Sequence, residues 1–384
     1  MISSFSDFTN LSQGKVRNDG IIYYYGNFSN EGYFDFTKSL ATGEVFFINN
    51  KRENTRIEGT EVVNLNKVTF DSKRAFTYFD LKANLDIWGE VDFKMGIIKV
   101  DSLFNTTTKL PYGLVSFMPK SKHKNSNALS FIDGQVEKVG AEAFVFPVGN
   151  KAHYRPAAIS APPSNKEVIW GKYIWNDSAF FAKHQTHVKE IKQINTTEYW
   201  KIEKATNSTA SIILTLSWDE ETTLAEVLSN VESELHIVYW NPTKLRWEDV
   251  GGVVDIANKS ISTPTNITDF GYFTLATVTE PDTNKDGLII YNFVNANGGD
   301  ENDYFRIENI TKYPKNTVQI YNRWGAKVYE TKNYNHEGNV FKGYQSKGGK
   351  LPAGTYYYLI TYETETKNRS YTIKKSGYLH LDTK

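Results

Sequence analysis

Residues 20–48 include Gly20-Ile-Ile-Tyr-Tyr-Tyr, then Gly32-Tyr-Phe-Asp-Phe, then Gly43-Glu-Val-Phe-Phe-Ile, and these short apolar runs decide the fold. Similar runs recur about every 10–12 residues between residues 14 and 117, a spacing typical of short strands joined by turns. Degenerate repeats of this kind favour a stacked β-solenoid, whose strands lie against the equivalent strands of neighbouring repeats. A β-sandwich is the alternative interpretation of the same spacing.

The composition indicates β-structure and excludes several classes of function. The 384 residues include 24 Tyr, 23 Phe and 8 Trp, and such side chains suit the pleated, half-buried surface of a sheet. Lys and Arg total 44, as do Asp and Glu, so the chain lacks the basic excess typical of a nucleic-acid scaffold. The absence of cysteine excludes disulfides, thiol nucleophiles, thiolate zinc sites and iron–sulfur clusters.

The strand pattern changes along the chain and divides it into blocks. Longer alternating runs such as Ser211-Ile-Ile-Leu-Thr-Leu-Ser-Trp predict an antiparallel β-sandwich after the first block. Weak helical patterns occur only at residues 181–194 and 223–231. The predicted fold is therefore all-β, in four parts: a β-solenoid-like stem at residues 1–150, an antiparallel β-sandwich at 151–279, a linker at 280–287 and an immunoglobulin-like β-sandwich at 288–384.

The beginning of the chain bears on where the protein resides. Met1-Ile-Ser-Ser-Phe-Ser-Asp-Phe has neither a positive n-region nor an apolar h-region, so the chain as given carries no secretory signal peptide. No apolar run approaches the ~20 residues of a transmembrane helix. A solenoid whose first repeat has no cap would expose a strand edge, which predicts that the natural protein extends further at its N-terminus.

One polar stretch suggests a cation site. Asp282-Thr-Asn-Lys-Asp-Gly matches the first half of a calcium loop, with Asp282, Asn284 and Asp286 as candidate ligands. Position twelve of that loop is Phe293 instead of a bidentate Glu, which excludes an EF-hand. The alternative is a solvated turn in the linker, and calcium is the one cofactor that the sequence suggests.

Other chemistry has weaker support. The sequence has no Gly-x-Ser-x-Gly elbow, no Walker A loop and no dinucleotide-binding fingerprint after a strand, so it favours a protein that is not an enzyme. His184 and His187 are spaced to share a helical face, but a surface pair is favoured over a metal site. Tryptophans able to stack on sugar rings, or alternatively to pack in the core, are Trp88, Trp170, Trp175, Trp240 and Trp247.

The last block carries the most specific pattern. Apolar alternation on both sides of Asn322-Arg-Trp-Gly predicts a hairpin that turns near Gly325. Leu351-Pro-Ala-Gly-Thr then precedes Tyr356-Tyr-Tyr-Leu-Ile-Thr-Tyr, a predicted strand with the rings of residues 356, 358 and 362 on one face. Gly377-Tyr-Leu-His-Leu predicts a last short strand.

The wording of these segments resembles the gliding-motility-associated C-terminal domain of Bacteroidetes, the type B signal domain of the type IX secretion system. The resemblance covers Tyr291 to Leu381, and the chain departs from the family where Asn295-Ala-Asn-Gly-Gly-Asp-Glu replaces the usual Ser/Thr-Pro-Asn-Gly-Asp-Gly phrase. The residues that carry the resemblance are Asn302, Asp303, Tyr304, Phe305, Asn322, Arg323, Trp324, Gly325, Phe341, Gly343, Leu351, Pro352, Gly354, Thr355, Tyr356, Gly377 and Tyr378.

The resemblance implies an export address instead of a catalyst. Proteins with such a domain cross the outer membrane through the type IX translocon, assisted by an outer-membrane β-barrel shuttle protein that recognises the domain. They end on the cell surface or in the medium. The upstream part resembles, more loosely, the stem of a Bacteroidetes surface protein, and the alternative function is a surface adhesin or carbohydrate-binding module within residues 1–279.

The terminal strand offers one route to recognition. If the backbone of Gly377–Leu381 were unpaired, a partner could add a strand to it. The alternative is that this strand is paired within the sandwich and that surface loops bind the partner.

Overall fold

The computed structural model describes residues 1–75, 77–100, 113–278, 287–296, 302–322, 325–335, 337–366 and 369–383, without the side chains of residues 364–366 and 369–372. These residues form an all-β structure of several sheets, which confirms the predicted fold class. In the described part of the chain, no helix is long and apolar enough to span a membrane.

The first part of the chain consists of short strands joined by turns. These are β1 Ile2–Ser4, β2 Phe8–Asn10, β3 Lys15–Arg17, β4 Ile21–Tyr24, β5 Phe28–Asn30, β6 Tyr33–Asp35, β7 Glu44–Asn49, β8 Thr55–Glu58, β9 Val63–Ser72, β10 Tyr78–Lys82, β11 Asn84–Met95, β12 Ile97–Val100, β13 Leu114–Phe117, β14 Lys122–Lys124, β15 Ile132–Asp133, β16 Val136–Val139, β17 Phe144–Phe146 and β18 Val148–Asn150.

The middle part has longer strands and short helices. These are β19 His153–Tyr154, β20 Ala157–Ile159, β21 Val168–Trp175, α1 Ser178–Lys183, β22 Ile191–Ile194, β23 Glu198–Lys204, β24 Leu214–Ser217, α2 Val231–Glu234, β25 Leu235–Asn241, β26 Arg246–Gly251, β27 Val253–Asp255, β28 Ser260–Ser262 and β29 Gly271–Val278.

The last part is again built of strands. These are β30 Ile289–Ile290, β31 Phe293–Asn295, β32 Ile307–Glu308, β33 Asn316–Tyr321, β34 Lys327–Lys332, β35 Gly354–Thr366 and β36 Arg369–Asp382, with a 3₁₀ turn at Ile310–Lys312.

Strands of the first part stack in parallel. One sheet runs β1-β4-β7-β9-β11-β13-β16, and a second runs β2-β5-β8-β10-β12-β15-β18, each with parallel neighbours in register. The chain thus alternates between two sheets. The predicted spacing of about 10–12 residues is therefore the distance between strands of different sheets, whereas equivalent strands of one sheet lie about twice as far apart.

A ladder of rings shows this repeat. Tyr24, Phe47, Phe70 and Phe93 are in register on β4, β7, β9 and β11, each 23 residues after the last. Ring centroids lie 5.7 Å apart for Tyr24 and Phe47 and 5.5 Å apart for Phe47 and Phe70, nearly parallel in both pairs. All four side chains are buried. Much of the aromatic excess of this part of the chain is therefore core packing.

The parallel stack continues into antiparallel strands. β16 pairs antiparallel with β21, and β21 pairs antiparallel with β23, so one sheet crosses the predicted division after residue 150. A continuous buried core extends from Ile22 to Leu275. The division itself stays a prediction.

The sequence-based helix predictions were wrong for most of their length, since only residues 181–183 and Val231 of the predicted segments are helical. The first helix, α1, ends at Lys183 and begins where the Asp177 side chain accepts a hydrogen bond from the Phe180 N–H. Residues 191–194 instead form β22, which pairs with β29 and buries Ile191 and Ile194. Residues 223–230 form turns, in which Leu224 and Val227 pack on the core and a single helical bond runs from the Leu228 N–H to the Leu224 carbonyl oxygen. Val231 then begins α2.

One buried ion pair lies in the middle part, close to the point where the parallel strands give way to antiparallel strands. Arg155 donates two hydrogen bonds of 3.0 Å to the carboxylate of Glu198, and both side chains are almost fully buried. The hydroxyl of Tyr173 donates to the same carboxylate at 2.7 Å, and Asn195 donates at 3.0 Å. Arg155 also donates to the carbonyl oxygen of Ser217 at 2.7 Å. These bonds compensate the desolvation of both charges.

Replacing Arg155 with Met removes the cation and leaves Glu198 as an unpaired buried carboxylate. We expect the free energy of unfolding to fall by about 3–5 kcal/mol, measured by urea denaturation followed through tryptophan fluorescence. Lys67→Met is the matched control, because it breaks a solvent-exposed pair with Glu44 at 3.2 Å, and we expect it to cost less than about 1 kcal/mol. Equal losses in the two variants would contradict this role of Arg155.

Asp86 lies on the outer face of β11 and has an unusual acidity. Burial raises the pKa of its carboxyl to about 6, with a further contribution from Glu137, whereas Lys38 and a hydrogen bond from Ser116 oppose the rise. The unfolded chain loses this proton near pH 4, and the folded chain retains it to about pH 6. Folded protein therefore binds the proton more tightly, and this group costs stability increasingly as the pH rises through that window.

The Asp86→Asn variant lacks this titration. We expect its melting temperature to exceed that of the wild type at pH 7.5, and the difference to shrink toward zero at about pH 3, below both the folded and the unfolded pKa, where Asp86 is protonated in both states. Thermal unfolding followed by circular dichroism at the two pH values measures both differences. A difference independent of pH would show that burial of this carboxyl does not shift its proton affinity.

Candidate functional site

The C-terminal part forms its own sheet around its own core. The order of its described strands is β31-β36-β35-β33-β34, and β30 pairs with β32 beside them. On β35 the rings of Tyr356, Tyr358 and Tyr362 are buried on one face, as the alternation predicts. The buried core of this part comprises Leu288, Val294, Phe305, Ile307, Ile310, Val318, Ile320, Tyr334, Phe341, Leu351, Tyr356, Tyr358, Ile360, Tyr362, Leu379 and Leu381.

Tyr334 connects two motif segments of this region, those that contain Phe305 and Phe341. Its hydroxyl donates to the carbonyl oxygen of Phe305 and accepts from the N–H of Phe341 at 3.1 Å. The N–H of Phe305 in turn donates to the carbonyl oxygen of Phe341 at 2.8 Å. Burial raises the pKa of Tyr334 above its ordinary value, so the hydroxyl keeps the proton that it donates. Tyr334 was not predicted as a core residue, because a ring between Asn333 and Asn335 shows no periodic pattern.

Two glycines of the motif are required by close packing. Gly377 pairs with Tyr358 across β35 and β36, and a Cβ at Gly377 would lie 2.3 Å from the Tyr358 hydroxyl oxygen. Gly343 has φ of +79°, and a Cβ there would lie 2.8 Å from the Cβ of Ala296. The carbonyl oxygen of Gly343 accepts from the N–H of Leu351 at 2.8 Å. These glycines therefore allow separate segments of the chain to pack closely against each other.

The predicted hairpin is present. β33 and β34 pair antiparallel, and Gly325 has φ of +73° in the turn between them. The N–H of Gly325 donates to the carbonyl oxygen of Asn322 at 2.9 Å. Arg323 and Trp324, and the candidate calcium ligands Asp282, Asn284 and Asp286, lie outside the described residues.

The remaining motif residues divide between core and surface. Phe305, Gly343, Leu351 and Tyr356 are buried with Phe341, and the other residues line the surface at least in part. The partly or fully exposed ones are Asn302, Asp303, Tyr304, Asn322, Gly325, Pro352, Gly354, Thr355, Gly377 and Tyr378. The motif thus combines residues that build the domain with residues that a partner can reach.

The terminal strand is not an unpaired edge. Gly377–Leu381 lies near the end of the long strand β36, which pairs with β35 from Arg369 to Leu381. At residues 380–382 its other side pairs in parallel with β31, and the N–H of His380 donates to the carbonyl oxygen of Asn292 at 2.8 Å. The hypothesis that a partner adds a strand to unpaired backbone at this end is therefore wrong for residues 380–382.

The opposite edge of the sheet is covered by a connecting segment. The N–H of Ser346 donates to the carbonyl oxygen of Val328 at 3.0 Å, and its hydroxyl accepts from the N–H of Glu330 at 3.0 Å. Asn339 donates to the carbonyl oxygen of Lys332 at 2.6 Å. Covering an edge strand in this way hinders strand addition by another chain.

An aromatic patch remains exposed on the outer face of the sheet. We define it as Phe293, Tyr378 and His380, of which Phe293 is 40% and Tyr378 52% exposed. Phe293 and His380 are in register on β31 and β36, and their rings are nearly parallel with centroids 5.9 Å apart. Tyr378 lies two residues before His380 and so on the same face. In the sequence, Phe293 had stood out only because it occupies position twelve of the candidate calcium loop.

The other candidate residues lie elsewhere in the molecule. The ring of His184 stacks on Phe180 with centroids 3.9 Å apart, and a ring nitrogen of His187 lies 2.9 Å from the carbonyl oxygen of Val188. Trp240 and Trp247 are buried core residues, whereas Trp88, Trp170 and Trp175 are half-buried. Among the described residues, no three His, Asp or Glu side chains are grouped so that they could hold a metal ion.

Tyr334→Phe tests the junction between the phrases. Without the hydroxyl, the buried N–H of Phe341 and the carbonyl oxygen of Phe305 each lose a hydrogen-bond partner. We expect the free energy of unfolding of this region to fall by about 1–3 kcal/mol. Amide hydrogen exchange measures it as faster exchange at Phe341. Tyr344→Phe is the control, because Tyr344 is 48% exposed and its exchange rates are expected to match the wild type. Unchanged protection of Phe341 in Tyr334→Phe would contradict the assignment.

The comparison with known proteins identifies the same C-terminal region of the chain. Residues 288–381 match the family model described as the CHU_C type IX secretion signal domain. No curated protein and no solved structure matches the chain. The matched region contains the separate core, the Tyr334 junction and the aromatic patch. Its identification from the sequence is thus confirmed: residues 288–381 match the type IX secretion signal domain family, and they indicate a secreted protein with a C-terminal sorting signal.

Proposed function

We propose that this chain is an exported cell-surface or extracellular protein, or a C-terminal fragment of one, whose last domain directs type IX secretion across the outer membrane. The observation that carries the proposal is the family match over residues 288–381. The separate core of this region supports it, because a sorting signal that acts on different cargoes must fold independently of them. The proposed role is recognition, and it requires no catalytic group.

The upstream part serves as a stem in this proposal. Residues 1–150 would be a β-solenoid, supported by the two parallel sheets and the 23-residue ring ladder from Tyr24 to Phe93. Residues 151–279 would be a sandwich, 280–287 a linker, and 288–384 an immunoglobulin-like signal domain.

The proposed partners are the outer-membrane shuttle protein and the type IX translocon. We place the contact with the shuttle protein on the aromatic patch of Phe293, Tyr378 and His380. Connecting backbone covers one edge of the sheet, and β31 occupies the end of the other, so a face is the better candidate than strand addition there. Exposed aromatic side chains at a protein surface are frequent anchors of interfaces.

A fusion of residues 280–384 to an inert periplasmic reporter tests the export role in a cell with a type IX system. We expect the reporter in the medium or on the surface, measured as its extracellular fraction, and retention in the periplasm would contradict the proposal.

Tyr378→Ser in the same fusion tests the patch, and Tyr344→Ser is the matched control with an equally exposed ring elsewhere in the domain. We expect Tyr378→Ser to lower the extracellular fraction severalfold and Tyr344→Ser to leave it unchanged. Equal export of both variants would place recognition on another surface while leaving the export role intact.

A second candidate function is carbohydrate binding within residues 1–279. It is favoured by Trp88 and Trp170, which are half-buried and do not belong to the core cluster. Stacking on sugar faces is a common use of such rings. This function would belong to the exported cargo and is independent of the sorting signal.

A further inference from the structure

We infer that the outer face of the signal-domain sheet is a recognition surface that the middle part of the same chain partly covers, and that the shuttle protein binds the whole face only after the two parts separate. The inference rests on the proposed function and adds a regulation of the same surface. We define the covered area as Tyr321, Tyr357 and Leu359, which lies beside the aromatic patch on the outer face of the sheet.

The covered area and the aromatic patch form one continuous surface. Tyr321 on β33 is opposite Tyr357 on β35, and Tyr357 is opposite Tyr378 on β36, so the three rings follow each other across adjacent strands. Leu359 lies two residues after Tyr357 and therefore on the same face. Tyr321, Tyr357 and Leu359 belong neither to the core of the signal domain nor to the residues packed against it. The domain therefore presents these side chains outward without needing them for its own core.

The middle part of the chain lies over this area. Leu359 is only 4% exposed, although it lies outside the core of its own domain, and it lines a cavity of about 360 Å³ together with Tyr239 of the middle part. Tyr321 and Tyr357 line a second cavity of about 300 Å³ together with Ala158 of the middle part. Both cavities thus lie between the signal domain and the middle part, and the outer face of the signal-domain sheet is turned toward the middle part.

The two parts also approach each other directly. A Cβ at Gly325, in the hairpin turn of the signal domain, would lie 2.6 Å from Cγ1 of Ile213 in the middle part. Burial raises the pKa of the Tyr357 hydroxyl, and the negative charge of Asp255 on β27 adds to the rise. The strands β27 and β36 are in contact as well. The signal domain is therefore docked on the middle part through the same face that carries the aromatic patch.

The contact is loosely packed, which favours separation. On the side of the middle part, small and polar side chains line the cavity of about 300 Å³, among them Ala158 and the bonded hydroxyls of Thr215 and Ser262. A protein interior rarely contains voids of this size, because atoms that line a void lose their van der Waals partners. The two parts also have separate hydrophobic cores. They can therefore separate without unfolding either core, as domains with such interfaces do.

Separation changes what a partner can reach. In the docked state the exposed rings of this face are those of Phe293, Tyr378 and His380, whereas separation adds the covered area. A partner that contacts both halves of the face binds the separated state more tightly, and its apparent affinity falls with the fraction of molecules that are separated. The middle part is thus a competitor of the shuttle protein within the same chain.

An engineered disulfide across the contact tests the docked state. The chain has no cysteine, so the double variant Ile213→Cys/Gly325→Cys contains a single pair of thiols. The Cβ at position 325 would lie 3.4 Å from the Cβ of Ile213, close to the separation of about 3.5–4.5 Å in disulfides, and the substitution of Ile213 removes the crowding Cγ1. We expect oxidation of the folded variant to form the bond, measured by mass spectrometry of its peptides.

A second pair keeps this test valid if the first variant does not fold. In Ser160→Cys/Gly325→Cys the two Cβ atoms would lie 3.5 Å apart. Circular dichroism checks the folding of each variant. Absence of the disulfide from the folded variants after oxidation would overturn the docked state.

Binding to the shuttle protein tests the competition. Biolayer interferometry measures the affinity of the detergent-solubilised shuttle protein for the oxidised double variant and for the same variant after reduction, which is a control of identical sequence. We expect the oxidised form to bind severalfold more weakly, because its two parts cannot separate. The reporter fusion of residues 280–384 should bind severalfold more tightly than the wild-type full chain, since it lacks the competing middle part. This second comparison needs no substitution.

The outcomes separate this inference from the proposed function. If the fusion binds the shuttle protein, but the oxidised and reduced forms bind equally well and the full chain binds like the fusion, the export role stands and the competition is overturned. Tighter binding of the oxidised form would also overturn it. If neither the fusion nor any full-length form binds, the proposed contact with the shuttle protein fails, and the inference fails with it.

Discussion

The buried pair of Arg155 and Glu198 is the interaction on which the arrangement of residues 1–279, the part that precedes the signal domain, depends. It lies where the parallel sheets give way to antiparallel strands, and its partners come from several strands of the middle part. A charge placed there is tolerated only because every partner is in position, since an incompletely bonded buried ion costs several kcal/mol. The pair therefore favours one register of the strands that meet at this junction, in addition to any stability that it contributes.

In the first part of the chain, stacked aromatic rings align the parallel strands. The all-β class followed directly from composition and from runs such as Gly20-Ile-Ile-Tyr-Tyr-Tyr. The parallel pairing did not, because a short apolar run has the same appearance in a parallel and an antiparallel sheet. The 23-residue period of Tyr24, Phe47, Phe70 and Phe93 was present in the sequence, but alternation between two sheets halves the visible spacing. Residues 191–194 were misassigned as helix because the pairing of β22 with β29 depends on tertiary contacts.

In the signal domain, too, some features could be predicted from sequence motifs, whereas others depend on three-dimensional contacts. Its phrases identified the region, and the hairpin at Gly325 and the buried face of β35 followed from alternation. Tyr334 and the patch around Phe293 and Tyr378 could not be predicted, because they arise where segments distant in the chain meet. For the same reason the pairing of β31 with the terminal strand was missed, and with it the occupation of that edge.

The central claim is that the cargo reaches the cell exterior because of its last domain. Comparing the full chain with a version ending at Leu288, both produced behind the same cleavable signal peptide in a cell with a type IX system, tests this most directly. The quantity to measure is the fraction of each protein that external protease digests in intact cells or that appears in the medium. The account predicts a high fraction for the full chain and retention of a folded, protease-protected truncated protein inside the outer membrane. Equal exposure of the two proteins would contradict it.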